Sequence, residues 1–93
     1  MPKIAQQIRV AGRVQGVGFR WTTLQLAQRH HIVGTVANQA DGSVEIIAVG
    51  EAADLEAFAA SIKAGPSPYA RVATYEAHTL YPVPHFTDFR VTG

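Results

Sequence analysis

The chain has 93 residues, of which 47% are hydrophobic and 16% charged, with a formal net charge of +1. This composition predicts one compact domain over residues 1–93 and excludes a disordered chain or a protein that binds nucleic acid or anionic lipid through strong overall charge. The sequence has no cysteine, which excludes disulfides, thiolate nucleophiles and cysteine-ligated metal sites.

The first predicted element is a strand over residues 7–14. Ile8, Val10 and Val14 alternate with polar residues, a period of two that is typical of a half-buried strand. Gly12 lies on the apolar face, where the missing side chain lets another backbone or a ligand approach closely.

A helix is predicted over residues 19–31, a stretch without Gly or Pro. Two stripes at helical spacing fit it, so its buried face stays open. One stripe is Phe19, Thr23, Ala27 and His30, and the other is Leu24, Ala27 and His31.

The stretch "GTVANQADGSVEIIAVG" predicts a β-hairpin. Asp41-Gly42 is a strong turn signal between two alternating runs. Val36 and Asn38 share one face of the first of these strands.

The second half of the chain predicts a helix and two strands. "EAADLEAFAASIKAGP" has apolar residues at i, i+3, i+4 and i+7, and its Gly-Pro pair ends the helix. A strand over residues 70–78 follows, and "FTDFRV" predicts a short last strand with Phe89 and Val91 on one face. The intervening "YPVPH" is extended or turned, because each X-Pro pair disfavours the helical region.

This order predicts an α+β, ferredoxin-like α/β sandwich: βαββαβ plus a short terminal strand, as an antiparallel sheet with two helices on one face. The same architecture carries enzymes, RNA binders and regulatory modules. Function therefore has to be inferred from the site.

Residues 15–20 join a strand directly to a helix N-terminus, where backbone N–H groups lack partners within the helix. Gly16 and Gly18 permit positive φ, so these N–H groups can form a nest that binds an anion, and Arg20 can add a planar fork of donors. The alternative is that the glycines only permit a tight turn and that Arg20 is solvated. The stretch matches neither a Walker A loop nor a dinucleotide fingerprint, so a nucleotide is not the leading ligand.

Residues 10–20, "VAGRVQGVGFR", resemble the signature loop of the acylphosphatase family, and the hairpin stretch resembles that family's second signature. "GPSPYARV" and "FTDFRV" extend the resemblance over nearly the whole chain. It implies an enzyme that hydrolyses the carboxyl-phosphate bond of acyl phosphates without a metal or cofactor. Carried over by position, Arg20 binds the phosphate and is catalytic, Asn38 holds the attacking water, and the backbone of five residues forms the phosphate cradle: Gln15, Gly16, Val17, Gly18 and Phe19.

Two positions depart from the family pattern. The family usually has an aromatic residue where Thr35 stands, and a helix-ending glycine where His31 stands. We expect His31 to adopt a left-handed conformation at a cost relative to glycine. Trp21 is expected to be a packing residue, the alternative being that it stacks on the substrate. The histidines are expected at surface or cap positions.

The main alternative is a non-catalytic module on the same fold, which binds a phosphate-containing metabolite or a protein. It would resemble the acylphosphatase-like segment of the carbamoyltransferases that mature hydrogenases. For the enzyme, inorganic phosphate or sulfate is expected to compete with the acyl phosphate. The chain is further expected to be a cytoplasmic monomer with no nucleic-acid or membrane partner, and which acyl phosphate it uses is left open.

Overall fold

The computed structural model describes residues 2–93, which form a sheet covered by two helices. The element order is the predicted one. The bounds are β1 (Lys3–Arg13), α1 (Phe19–Arg29), β2 (Val33–Asn38), β3 (Val44–Glu51), α2 (Ala52–Ala64), β4 (Arg71–Leu80) and β5 (Phe89–Val91). The first strand starts earlier than its alternating pattern, because β1 pairs with β3 from Lys3 onwards.

The strands of residues 2–93 lie in the order β4-β1-β3-β2-β5. Strands β4, β1, β3 and β2 pair antiparallel, as predicted, but β5 pairs in parallel with β2, so the sheet is mixed. The cause is the route of the chain. Residues 81–88 cross from one edge of the sheet to the other at the end where β4 finishes, so β5 must run opposite to β4 and along β2.

Both helices pack on the same face of the sheet. Helix α1 lies over β2 and β5, α2 lies over β3 and β4, and the two helices touch each other. Of the two stripes on α1, the one with Phe19, Thr23 and Ala27 is buried. Phe58 of α2 meets Phe89 of β5 edge to face, with ring centroids 6.2 Å apart, a pair worth about 0.5–1.5 kcal/mol beyond its burial. It holds the short last strand against the core.

Gly12 confirms the predicted close approach of another backbone. Its φ is +126°, and a Cβ there would lie 2.4 Å from the carbonyl oxygen of Arg71 in β4. The pairing of β1 with β4 shifts register at this point.

The two helices in the described part of the chain lack the length and the continuous apolar sequence of a membrane-spanning helix.

The connection from α1 to β2 turns through a left-handed residue. His31 has φ +59° and is the one non-glycine residue of 2–93 with positive φ. The Ile32 N–H donates to the Ala27 carbonyl at 2.8 Å and closes the helix end. The predicted conformation of His31 is confirmed.

Replacing His31 with glycine is expected to raise the Tm by ~2–6 °C, because glycine removes the left-handed strain but has more freedom to lose on folding. Thermal unfolding followed by circular dichroism measures the shift. His30→Gly is the matched control: this neighbour has φ −98°, so glycine there should lower the Tm. A lowered Tm for His31→Gly would show that contacts of the imidazole outweigh the backbone strain.

Candidate active site

The loop between β1 and α1 has two left-handed glycines. Gly16 has φ +72° and Gly18, which precedes the first residue of α1, has φ +77°. No atom lies within 4 Å of a Cβ built at either position, so glycine is needed for the backbone path and not for space. No side chain caps the start of α1. Its first N–H groups are therefore available to an anion.

Two side chains brace this loop against the rest of the fold. The Gln15 side-chain amide donates to the carbonyls of Gln39 and Ser43, each at 2.9 Å, and so ties the loop to the β2–β3 turn. On the other side, the buried Ser67 hydroxyl donates to the Val17 carbonyl at 2.7 Å. Sequence reasoning did not assign either side-chain role, because all three partners are backbone carbonyls distant in the chain. The only signal for Ser67 was its place in "GPSPYARV".

Arg20 is oriented by the chain that follows β5. Its Nη1 donates to the Gly93 carbonyl oxygen, and the backbone N–H of Asn38 donates to the same oxygen at 3.3 Å. Gly93 therefore links the two residues predicted to be catalytic. The other N–H groups of the Arg20 guanidinium make no hydrogen bond within residues 2–93, so they can donate hydrogen bonds to an oxyanion.

A cavity of about 300 Å³ lies where the loop, α1, β2 and β5 meet. It brings together five of the predicted site residues: Gly16, Gly18, Phe19, Arg20 and Asn38. The other two predicted residues do not line it, because the Gln15 side chain reaches to the hairpin and Val17 packs against the core. The rest of the lining, which sequence reasoning did not assign, is Val14, Trp21 and Val91.

The prediction that Trp21 is a packing residue is wrong. A packing residue is buried, whereas 61% of the surface of Trp21 is exposed. The reason is the phase of the helix, since α1 buries its first residue, Phe19, and the residues four and eight positions further along, Thr23 and Ala27. Trp21 therefore stands at the mouth of the cavity.

The side-chain oxygen of Asn38 lacks a partner. Its Oδ1 is buried and accepts no hydrogen bond from any residue between 2 and 93. A buried carbonyl oxygen without a donor costs about 1–3 kcal/mol, so a water or a ligand group is the expected partner. This oxygen belongs to a residue that lines the cavity.

Arg20 is the one ionisable side chain among the cavity-lining residues that the structure describes. The nearby acid Asp41 is engaged in the turn, as predicted. Its carboxylate accepts from the Ser43 hydroxyl at 2.6 Å and backbone N–H at 3.0 Å and pairs with Arg9 at 3.1 Å. These hydrogen bonds from Ser43, aided by Arg9, lower the pKa of Asp41. The described side chains that line the cavity therefore include one cation, Arg20, and no carboxylate.

The other residues considered in the sequence lie elsewhere. None of the four histidines lines the cavity, and Thr35 pairs with Ile47 and Arg90 in the sheet. Between residues 2 and 93 no three His, Asp or Glu side chains form a group that could hold a metal ion.

A larger groove of about 550 Å³ runs between α2 and strands β1 and β4. Four alanines, Ile4 and Leu55 form its apolar wall. Among the described residues that line it there is one cation, Lys63, which lies 5.1 Å from the centre of the Tyr75 ring, and one carboxylate, Glu56. The groove has no left-handed glycine among its described residues, and the carboxylate of Glu56 in its lining opposes an anion. The smaller cavity is therefore the better anion site, despite its size.

Known proteins resemble this chain over nearly its whole length. The acylphosphatase family model matches residues 6–91. The acylphosphatase of Lacticaseibacillus paracasei is 56% identical over 93 residues, all of both chains, and that of Latilactobacillus sakei is 52% identical over 89 residues, 96% of this chain and 97% of the relative.

Solved structures give the same result for the fold. The crystal structure of acylphosphatase from Bacillus subtilis has a TM-score of 0.92 at 33% identity, covering 97% of this chain and 99% of that one. Full-length HypF in its phosphate- and nucleotide-bound form has a TM-score of 0.91 at 34% identity, covering 99% of this chain but 12% of that one.

Proposed function

The chain belongs to the acylphosphatase family and is a hydrolase of acyl phosphates, and we propose that it performs this reaction with Arg20 and Asn38 as the catalytic residues and without a metal. One observation carries the proposal. Asn38 is distant in sequence from the glycine loop and Arg20, but all three line the same cavity. We also propose that the protein acts as a monomer in the cytoplasm and has no nucleic-acid or membrane partner.

The phosphoryl group is held by the loop. The backbone N–H groups of residues 15–19, of which Gly16, Gly18 and Phe19 line the cavity, bind the anion, and the guanidinium of Arg20 donates to its oxygens. Gly93 and Asn38 support this geometry, since the Gly93 oxygen already positions Arg20 before substrate arrives. Such preorganised donors stabilise the charge that builds on the phosphoryl oxygens in the transition state.

Asn38 positions the water. Its unpartnered Oδ1 accepts a hydrogen bond from a water that attacks phosphorus. The P–O bond to the acyl group breaks, the carboxylate leaves with the electron pair, and the water's proton passes to the phosphate product or to solvent. Because a carboxylate is a good leaving group, the reaction needs a correctly positioned water and does not need a strong general base. A carboxylate in place of Asn38 would repel the dianionic substrate.

The test is hydrolysis of acetyl phosphate and benzoyl phosphate with excess EDTA, compared with p-nitrophenyl phosphate. We expect turnover of both acyl phosphates, little of the monoester, and competitive inhibition by inorganic phosphate and sulfate. Activity on the monoester alone, dependence on added metal, or no competition at tens of millimolar phosphate would contradict the proposal.

A second candidate is a phosphate-binding module without catalysis. The likeness to a small part of full-length HypF favours it, because the same fold there stands inside a much longer chain. The assay above distinguishes the two functions, because a non-catalytic module would bind phosphate but would hydrolyse no acyl phosphate.

Replacing Ser67 with alanine is expected to lower kcat/KM about tenfold and to destabilise the fold by about 1 kcal/mol. The reason is that the Val17 carbonyl loses its donor and the loop shifts. Steady-state kinetics and urea unfolding measure the two effects. Ser61→Ala is the matched control, since that exposed hydroxyl bonds only within α2. If Ser67→Ala kept wild-type kcat/KM and phosphate inhibition, the loop would not depend on this brace.

A further inference from the structure

One side of the cavity is apolar and exposed. Trp21 is 61% exposed and Val91 of β5 is 42% exposed, and both line the cavity next to Arg20. Single exposed apolar residues are common and mean little alone. Here, two exposed apolar side chains from different elements border the same space, whereas the more exposed Tyr69 and Tyr81 do not.

The cavity also has room for more than a phosphate. Its volume of about 300 Å³ lies at the lower end of the ~300–1,000 Å³ typical of sites for small organic ligands. The glycines and Arg20 account for the phosphate-binding side, and the buried side chains of Val14 and Phe19 form apolar wall. The remaining exposed surface, Trp21 and Val91, is available to whatever is attached to the phosphate.

We propose that Trp21 and Val91 form an acyl-binding surface, which makes apolar and above all aromatic acyl phosphates better substrates than acetyl or carbamoyl phosphate. This inference rests on the proposed function. The indole offers a large, rigid face with few rotatable bonds, so a planar acyl group gains stacking area at low entropic cost. A small or polar acyl group reaches the same phosphate site but gains little from this surface.

The first test compares kcat/KM for benzoyl phosphate and acetyl phosphate. Trp21→Ala is expected to lower the value for benzoyl phosphate about tenfold and that for acetyl phosphate far less. Trp21→Phe should retain most of the preference for benzoyl phosphate over acetyl phosphate. Val91→Thr, which keeps the shape but replaces a methyl group with a hydroxyl, should lose part of this preference. Gln25→Ala is the control, because Gln25 is exposed on α1 one turn further on and does not line the cavity.

The second test needs no turnover. Trp21 is the single tryptophan of the chain, so its fluorescence reports on its own surroundings. Benzylphosphonate should change the emission and bind more tightly than methylphosphonate in the wild type. Isothermal titration calorimetry of Trp21→Ala, which lacks the fluorophore, should find equal affinities for the two phosphonates.

The outcomes separate the two proposals. Equal loss on both acyl phosphates, no loss on either, or equal affinity for the two phosphonates would overturn the acyl-binding surface while leaving the proposed function intact. A wild type that hydrolyses neither substrate would overturn the proposed function, and the fluorescence titration would then still decide whether this surface prefers the aromatic ligand.

Discussion

Replacing Arg20 with alanine is expected to abolish nearly all acyl phosphate hydrolysis, with kcat/KM falling by about 10³-fold or more. Among the described residues that line the cavity, Arg20 supplies the one positive charge. Its guanidinium can form two parallel hydrogen bonds to phosphoryl oxygens and stays charged at any physiological pH. The measurement is steady-state hydrolysis of benzoyl phosphate, with inhibition by inorganic phosphate as the second readout.

Two further variants make the Arg20 result specific. Arg20→Lys keeps the charge but loses the planar fork, so it should recover only a small part of the activity. Arg29→Ala removes an equal charge from the last turn of the same helix and should leave both the rate and the inhibition by phosphate unchanged. An Arg20→Ala protein that is folded and close to the wild-type rate would contradict the mechanism.

Replacing Asn38 with alanine is expected to lower kcat by about 10²- to 10³-fold, the usual effect of losing one preorganised polar group. Because Asn38 is assigned to the water and not to the phosphoryl group, inhibition by inorganic phosphate should change little. This combination separates it from Arg20, whose loss should weaken both catalysis and phosphate inhibition. Asn38→Asp should also be nearly inactive, since its carboxylate faces the dianionic substrate.

Gln39→Ala is the control for Asn38. It removes the amide of the next residue, whose side chain only donates to the nearby Ala37 carbonyl at 3.4 Å. Its kinetics should match the wild type. A folded Asn38→Ala protein with an unchanged kcat would show that the attacking water is held by another group.

Local patterns were sufficient to predict the elements and the loop. Alternation placed Ile8 and Val10 in a strand core, and both are buried. The glycine pattern predicted a left-handed turn at Gly16 and Gly18, and both have positive φ. These features depend on the residues themselves and their close neighbours in the chain, which is why the sequence alone predicts them.

Long-range packing decided the features that the sequence left open or misjudged. Helix α1 had two possible buried stripes, and contact with β2 and β5 selected the one that leaves Trp21 in solvent. The parallel pairing of β5 followed from the route of residues 81–88 across the sheet. The brace from Ser67 to Val17 joins residues fifty positions apart through a backbone carbonyl, which no residue pattern identifies.

The sequence by itself determined the order of elements, the conformation of the glycine loop, and the resemblance from which Arg20 and Asn38 were assigned. Only the tertiary structure decided that these two residues share one cavity and one hydrogen-bond acceptor, Gly93, and that Trp21 and Val91 border it. The physical reason is that backbone conformation is set by neighbours along the chain, whereas a site is set by which surfaces the sheet brings together.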